Sequence, residues 1–186
     1  MDELKIVITG CVGSGKSTAI QSISDIEVIS TDVDASDEVR DEKDTTTVAM
    51  DYGELQLEPE QTIKLYGTPG QKRFGYMWEI LAEGALGVVI LVNHRREDPL
   101  ADLAMYLENF ADPISRSTAV IGITHVDDEP ENQVSNLEPY YQYMSQHALD
   151  YPIFSVDARD SNQVRVLVEA MAAMIALNEE QHEQVC

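Results

Sequence analysis

Gly10 and Gly15 stand five positions apart and run straight into Lys16 and Ser17, so Gly10-Cys11-Val12-Gly13-Ser14-Gly15-Lys16-Ser17 fits the spacing G-x-x-x-x-G-K-[ST] in full. The chemistry that needs this arrangement is the gripping of phosphate oxygens by main-chain N–H groups at the start of a helix. Glycines let the chain curl tightly enough to aim several N–H groups at one anion. Lys16 brings a point charge to the β- and γ-phosphates, and the Ser17 hydroxyl is a ligand for Mg²⁺. Gly10, Gly13, Ser14, Gly15, Lys16, Ser17 and Thr18 are therefore the candidate phosphate-binding residues. The loop alone does not separate GTP from ATP.

The elements needed to hold such a loop are present on both sides of it. Leu4 to Thr9 is a short apolar strand leading in, and a helix from about Lys16 to Ser24 leads out. Asp25 to Thr46 reads as a long polar loop of the kind that carries function. Thr47 to Leu57 and Thr62 to Tyr66 are strands joined by the turn Glu58-Pro59-Glu60, which implies an antiparallel hairpin. The apolar runs Leu86 to Val92 and Thr118 to Thr124 suit strands buried on both faces, and Tyr151 to Val156 is the last strand. Helices are expected after Gly70 to near Glu83, from Pro99 to about Phe110, and from Gln133 to His147. In the final helix Val164, Leu167, Val168, Met171 and Ile175 form a core-facing stripe. The reading is an α/β fold: a three-layer P-loop NTPase arrangement with a mostly parallel six-stranded sheet, one antiparallel edge strand, and helices on both faces. Residues 1–178 form one domain and 179–186 an acidic tail.

Four further runs follow in order: Thr45-Thr46-Thr47 entering a strand, Gly67-Thr68-Pro69-Gly70-Gln71 leaving one, Thr124-His125-Val126-Asp127 at a strand end, and Asp157-Ala158-Arg159 after the last strand. With the phosphate loop, the chain resembles small Ras-like GTPases over nearly its whole length, and it is most similar to their bacterial branch related to the gliding-motility polarity GTPases. That resemblance implies a role for each run. Thr47, or Thr46 as the alternative, would add a second hydroxyl to Mg²⁺ and touch the γ-phosphate. Gly70 would offer its N–H to the γ-phosphate, and Gln71 would orient the attacking water, so Lys16, Gly70 and Gln71 are the candidate catalytic residues. Asp127 would accept from guanine N1 and N2, with Thr124 and His125 beside the base and the Ala158 N–H facing guanine O6. The sequence departs from the family's pattern at Thr124 and His125, which stand where the family carries Asn and Lys, and at Gly67, which stands where Ras-like proteins carry an aspartate supporting Mg²⁺ through water. The polarity branch also lacks it.

The resemblance implies GTP or GDP as ligand, Mg²⁺ as cofactor, and a regulatory or effector partner, with a roadblock-type regulatory protein expected. Val12, where Ras-like proteins carry glycine, crowds the space around Gln71 and predicts slow hydrolysis. Arg40 and Arg73 are candidates for a catalytic arginine, with solvated surface roles as the plain alternative. The aromatics of Phe74-Gly75-Tyr76-Met77-Trp78 read either as core or as an effector surface. A net charge of −22 repels nucleic acid and anionic lipid heads, so no nucleic-acid role is expected. No apolar run approaches a membrane span, and no signal peptide opens the chain, so a cytoplasmic location is expected. The two cysteines, Cys11 and Cys186, do not read as a disulfide pair, and Cys186 lacks the residues of a prenylation box. Two alternatives stay open: another P-loop ATPase or small-molecule kinase, and a nucleotide-bound scaffold that does not turn over.

Overall fold

The computed structural model describes residues 4–31, 50–58, 61–126 and 130–183. β1 (Leu4–Gly10) is the central strand. It pairs in parallel with β4 (Gln61–Gly67) on one side and β5 (Gly87–Asn93) on the other, and β6 (Ala119–Thr124) and β7 (Ile153–Ser155) continue the parallel run. β3 (Asp51–Glu58) turns back antiparallel on β4, which is the hairpin expected from the sequence. A two-residue strand, β2 (Ile29–Ser30), closes that edge, giving seven strands among the described residues, in the order β2-β3-β4-β1-β5-β6-β7. β2 falls in the stretch read as loop, and two residues are too few to show a period.

Alternation along the central strands makes the sheet a buried middle layer. Val7, Val88, Ile90, Val92, Ile121 and Ile123 face one core with Trp78, Tyr106, Phe110 and Tyr140. Ile6, Ile8, Val89, Leu91 and Val120 face the other. α2 (Gly75–Ala82), α3 (Pro99–Asn109), the short α4 (Ala111–Ser115) and α5 (Pro130–Gln146) supply the first layer. α1 (Lys16–Ile23) and α6 (Ser161–Glu183) supply the second. On α6 the expected stripe is core: Val164, Leu167, Val168 and Met171 are buried, and Ile175 packs at its margin. α3 starts on Pro99, with the Asp98 carboxylate accepting from the Ala101 N–H at 2.9 Å.

The C-terminal ends of β1, β4, β5 and β6 therefore lie side by side, and the loops leaving them are brought together. In an open α/β sheet this is the edge at which ligands bind. A cleft of about 970 Å³ between α2 and α4, lined by Ile80, Glu83, Glu108 and Asp112, lies at the other end of β5 and takes no part in the site.

Candidate nucleotide-binding site

The phosphate loop leaves β1 through Gly10 at φ 146° and enters α1 through Gly15 at φ 93°, both conformations that side chains rarely adopt. A Cβ at Gly10 would also sit 2.2 Å from the Leu91 carbonyl oxygen. Ala19 N–H makes a bond to Gly15 O at 2.8 Å, so the N–H groups of Lys16, Ser17 and Thr18 lie at the open helix start. The Thr18 side chain is exposed, so what it can offer a ligand here is its main-chain N–H. The Ser14 side chain is fully buried, and its hydroxyl is the one buried side-chain polar atom among the described residues without a partner.

Lys16 is buried and folded over its own loop. Its Nζ donates to the carbonyls of Gly10 and Cys11, each at 2.8 Å. Burial pushes its pKa down from 10.5 to about 8, and the Asp51 carboxylate pulls in the opposite direction. Cys11 is a free, buried thiol that burial pushes up in pKa, which keeps it protonated and unreactive.

Ser17 Oγ donates to Asp51 Oδ2 at 2.5 Å. Asp51 is buried, opens β3, and pairs across the hairpin with Gly67. A Cβ added at Gly67 would lie 3.2 Å from Asp51 Cβ and 3.3 Å from Oδ2. The carboxylate thus occupies the space that a side chain at position 67 would need, and it reaches the loop serine from the neighbouring strand.

The segment after β4 is pinned to the loop. Thr68 N–H donates to Ile8 O at 3.0 Å, and the Thr68 and Thr9 hydroxyls pair at 2.8 Å. Gly70 packs against the loop so closely that a Cβ would meet Val12 N at 2.7 Å and Lys16 Nζ at 2.8 Å. Gln71 is exposed beside it, and Val12 stands out of the loop, also exposed. Arg73 is exposed with its guanidinium 4.9 Å from the Phe74 ring centre, the surface alternative for that residue. The aromatic run divides: Phe74 and Trp78 are core, and Tyr76 is exposed, as is Ile80 one turn later.

Strand ends tether the loop from below. Asn93 Nδ2 donates to Gly13 O at 3.0 Å, and the buried Thr124 hydroxyl donates to Ser14 O at 3.0 Å. His125 is exposed in a left-handed conformation, φ 58°, with its Nδ1 at 3.0 Å from Thr124 Oγ1. Ala158 lies over Gly15, where an added Cβ would meet its own at 2.9 Å. Asp157 beside it is held down to about 2, first by its hydrogen bonds to the Arg159 side chain and main chain, with His125 adding to the pull. Glycine loop, β4 exit, β6 end and β7 exit thus converge. Thr47, Asp127, Arg40 and Cys186 lie outside the described residues.

Residues 25–186 match the family described as conserved hypothetical ATP binding protein. The chain belongs to that family. The family match begins after the phosphate loop, so the loop's reading stands on its own geometry. The chain is also similar to the uncharacterized protein MJ1339 of Methanocaldococcus jannaschii, 32% identical over 92 residues, which are 50% of this chain and 52% of that protein. It thus spans about half the length of the relative it matches. Family and fold together make this member of the ATP-binding family a nucleotide-binding protein of the P-loop type. No helix among the described residues is long and apolar enough to cross a membrane.

Asp51, Asn93 and the tethering role of Thr124 were not found from the sequence of this family member. Ser17 Oγ and Asp51 Oδ2 are hard oxygens of the kind Mg²⁺ takes, with room left for waters and phosphate oxygens.

Proposed function

We propose that this chain is a nucleotide-dependent switch that binds a purine nucleoside triphosphate, hydrolyses it slowly to the diphosphate and phosphate, and signals through the segments around Thr47 and Gly70 to a partner protein. The observation that carries this reading is the packing of Gly70 onto Val12 and Lys16, beside the Ser17–Asp51 pair. A segment that touches the loop at the γ-phosphate end can tell three phosphates from two.

In this reading the open N–H groups of α1 and Lys16 hold the β- and γ-phosphates. Lys16 leaves the two loop carbonyls for phosphate oxygens. The Gly70 N–H meets the γ-phosphate, and Gln71 orients the attacking water. Ser17, Thr47 and Asp51 would hold Mg²⁺, Asp51 as the stand-in for the carboxylate missing at position 67; bound there, the ion neutralises phosphate charge. Val12 crowds Gln71, so the isolated chain turns over slowly. Tyr76 and Ile80, exposed one turn apart on α2, offer a surface to a partner; the resemblance points to a regulatory protein of roadblock type.

Guanine is the favoured base, because a carboxylate at Asp127 accepts both guanine N1–H and N2–H and adenine lacks that pair of donors. Asp127→Asn tests this: its amide donates to the C2 carbonyl of xanthine, so preference should move from guanine to xanthine nucleotides, and a variant that keeps its guanine preference rejects the assignment. A second reading, ATP as ligand, is favoured by the family's description as ATP-binding. Following phosphate release from GTP and ATP under single-turnover conditions separates the two. Release from GTP alone supports the switch. Release from ATP alone supports the second reading, and no release from either supports a scaffold.

A further inference from the structure

We infer that Trp78 is a positioning residue for the γ-phosphate contact: by holding the Pro69 carbonyl, its indole N–H aims the Gly70 N–H at the phosphate loop. The inference rests on the switch reading above and names the device that sets it.

The argument is geometric. Trp78 Nε1 donates to Pro69 O at 2.8 Å. The Pro69–Gly70 peptide is trans, so its carbonyl and N–H point in opposite directions. With the carbonyl held toward α2, the Gly70 N–H is turned away from the indole, and Gly70 itself lies against the phosphate loop, where an added Cβ would meet Val12 N and Lys16 Nζ. The peptide has little freedom to do otherwise. Upstream, Thr68 is fixed to β1 through Ile8 O and Thr9. Downstream, Trp78 is 2% exposed and wedged against Tyr106, with ring centres 4.9 Å apart, and Phe110, 5.8 Å apart and nearly parallel. The far end of α2 is held as well, by Lys5 Nζ donating to Glu83 O at 2.7 Å. Tyr106 Oη reaches the Gly70 carbonyl, though at 3.4 Å. A turn of the Pro69–Gly70 peptide therefore breaks the indole bond, and the indole cannot follow without repacking α3. Close-packed surroundings of this kind switch between discrete arrangements rather than deform smoothly. Trp78 is the chain's single tryptophan, so it can also report the change.

The test is calorimetric titration of the full chain with GDP and with a non-hydrolysable GTP analogue in Mg²⁺, for the natural protein and for Trp78→Phe. If only the adenine pair binds, the same ratio is read with ADP and its analogue. Phenylalanine keeps the stacking and removes the N–H. The expected result is a three- to tenfold loss of affinity for the triphosphate analogue, roughly what one net hydrogen bond is worth, with the diphosphate changed by less than about twofold. Equal weakening of both nucleotides, or a lowered Tm with an unchanged ratio, overturns the inference while leaving the nucleotide reading intact. A natural protein that binds neither nucleotide overturns both. Should Trp78→Phe fail to fold, the single indole N–H resonance of the natural protein decides: different positions in the diphosphate and triphosphate complexes support the inference, and coincident positions overturn it.

Discussion

Asp51→Asn keeps the size of the side chain and one acceptor oxygen for the Ser17 hydroxyl, and removes only the charge. The fold should hardly notice: the asparagine carbonyl can still accept from Ser17 Oγ, now 2.5 Å from the carboxylate. The metal should notice. Asp51 is the carboxylate that touches the loop serine, and Gly67 offers none. Loss of a group that supports a metal ligand costs about 10- to 100-fold in metal affinity, or about 1.4–2.7 kcal/mol. The Mg²⁺ concentration at which nucleotide binding is half-restored after chelation should rise by that factor. Binding in the presence of chelator should stay the same. The exchange Asp51→Gly with Gly67→Asp should recover part of the loss, because the new Cβ would stand in the space that Asp51 vacates, 3.2 Å from the old Cβ. Gly67→Asp alone should fit poorly, since Asp51 Cβ and Oδ2 would stand 3.2 and 3.3 Å from the added carbon, whereas Ile20 Cδ1, at 2.9 Å in either variant, is a side-chain end that can shift. An Mg²⁺ requirement unchanged in Asp51→Asn would refute the assignment of this carboxylate.

Three other outcomes follow. Gly70→Ala places a carbon against Val12 N and Lys16 Nζ; the forced shift should slow single-turnover phosphate release by on the order of 100-fold with diphosphate affinity little changed. Lys16 has a pKa of about 8 in the free protein, and phosphates favour its charged form, so binding above that pH takes up a proton. Affinity should fall about tenfold between pH 7 and pH 9, read by titration in buffers of different ionisation heat. The sign for folding is opposite: an unfolded Lys16 holds its proton up to 10.5, so this residue's contribution to stability rises as pH climbs from about 8 to 10.5. Thr124→Val removes the hydroxyl that ties β6 to Ser14 O, at about 1 kcal/mol; Tm should drop by about 2–4 °C, and base preference should stay as it was.

The phosphate loop was legible because its signal is local: two glycines, a lysine and a serine at fixed offsets between a strand and a helix. The sheet was legible because β1, β5 and β6 are apolar on both faces, and the α6 stripe because its spacing is helical. Asp51 was not legible, since its meaning lies in strand register. It becomes significant only when the hairpin sets it opposite Gly67, and a bulge between Gln56 and Glu58 shifts that count by one. A signal did exist: a glycine where a carboxylate is expected, and a lone aspartate at the start of the partner strand. Asn93 and Thr124 likewise act across 80 and 110 residues of chain, on carbonyls that sequence does not display. The aromatics after Gln71 could be read either way because a short helix puts Phe74 and Trp78 inward and Tyr76 outward in one run.

The most direct measurement of the central claim is isothermal titration of the natural chain and of Lys16→Ala with GTP and ATP analogues in Mg²⁺. The account predicts one site on the natural chain, tighter for the guanine analogue, and loss of most of that affinity in Lys16→Ala. Equal affinity in the two proteins, or no binding to either, would contradict it.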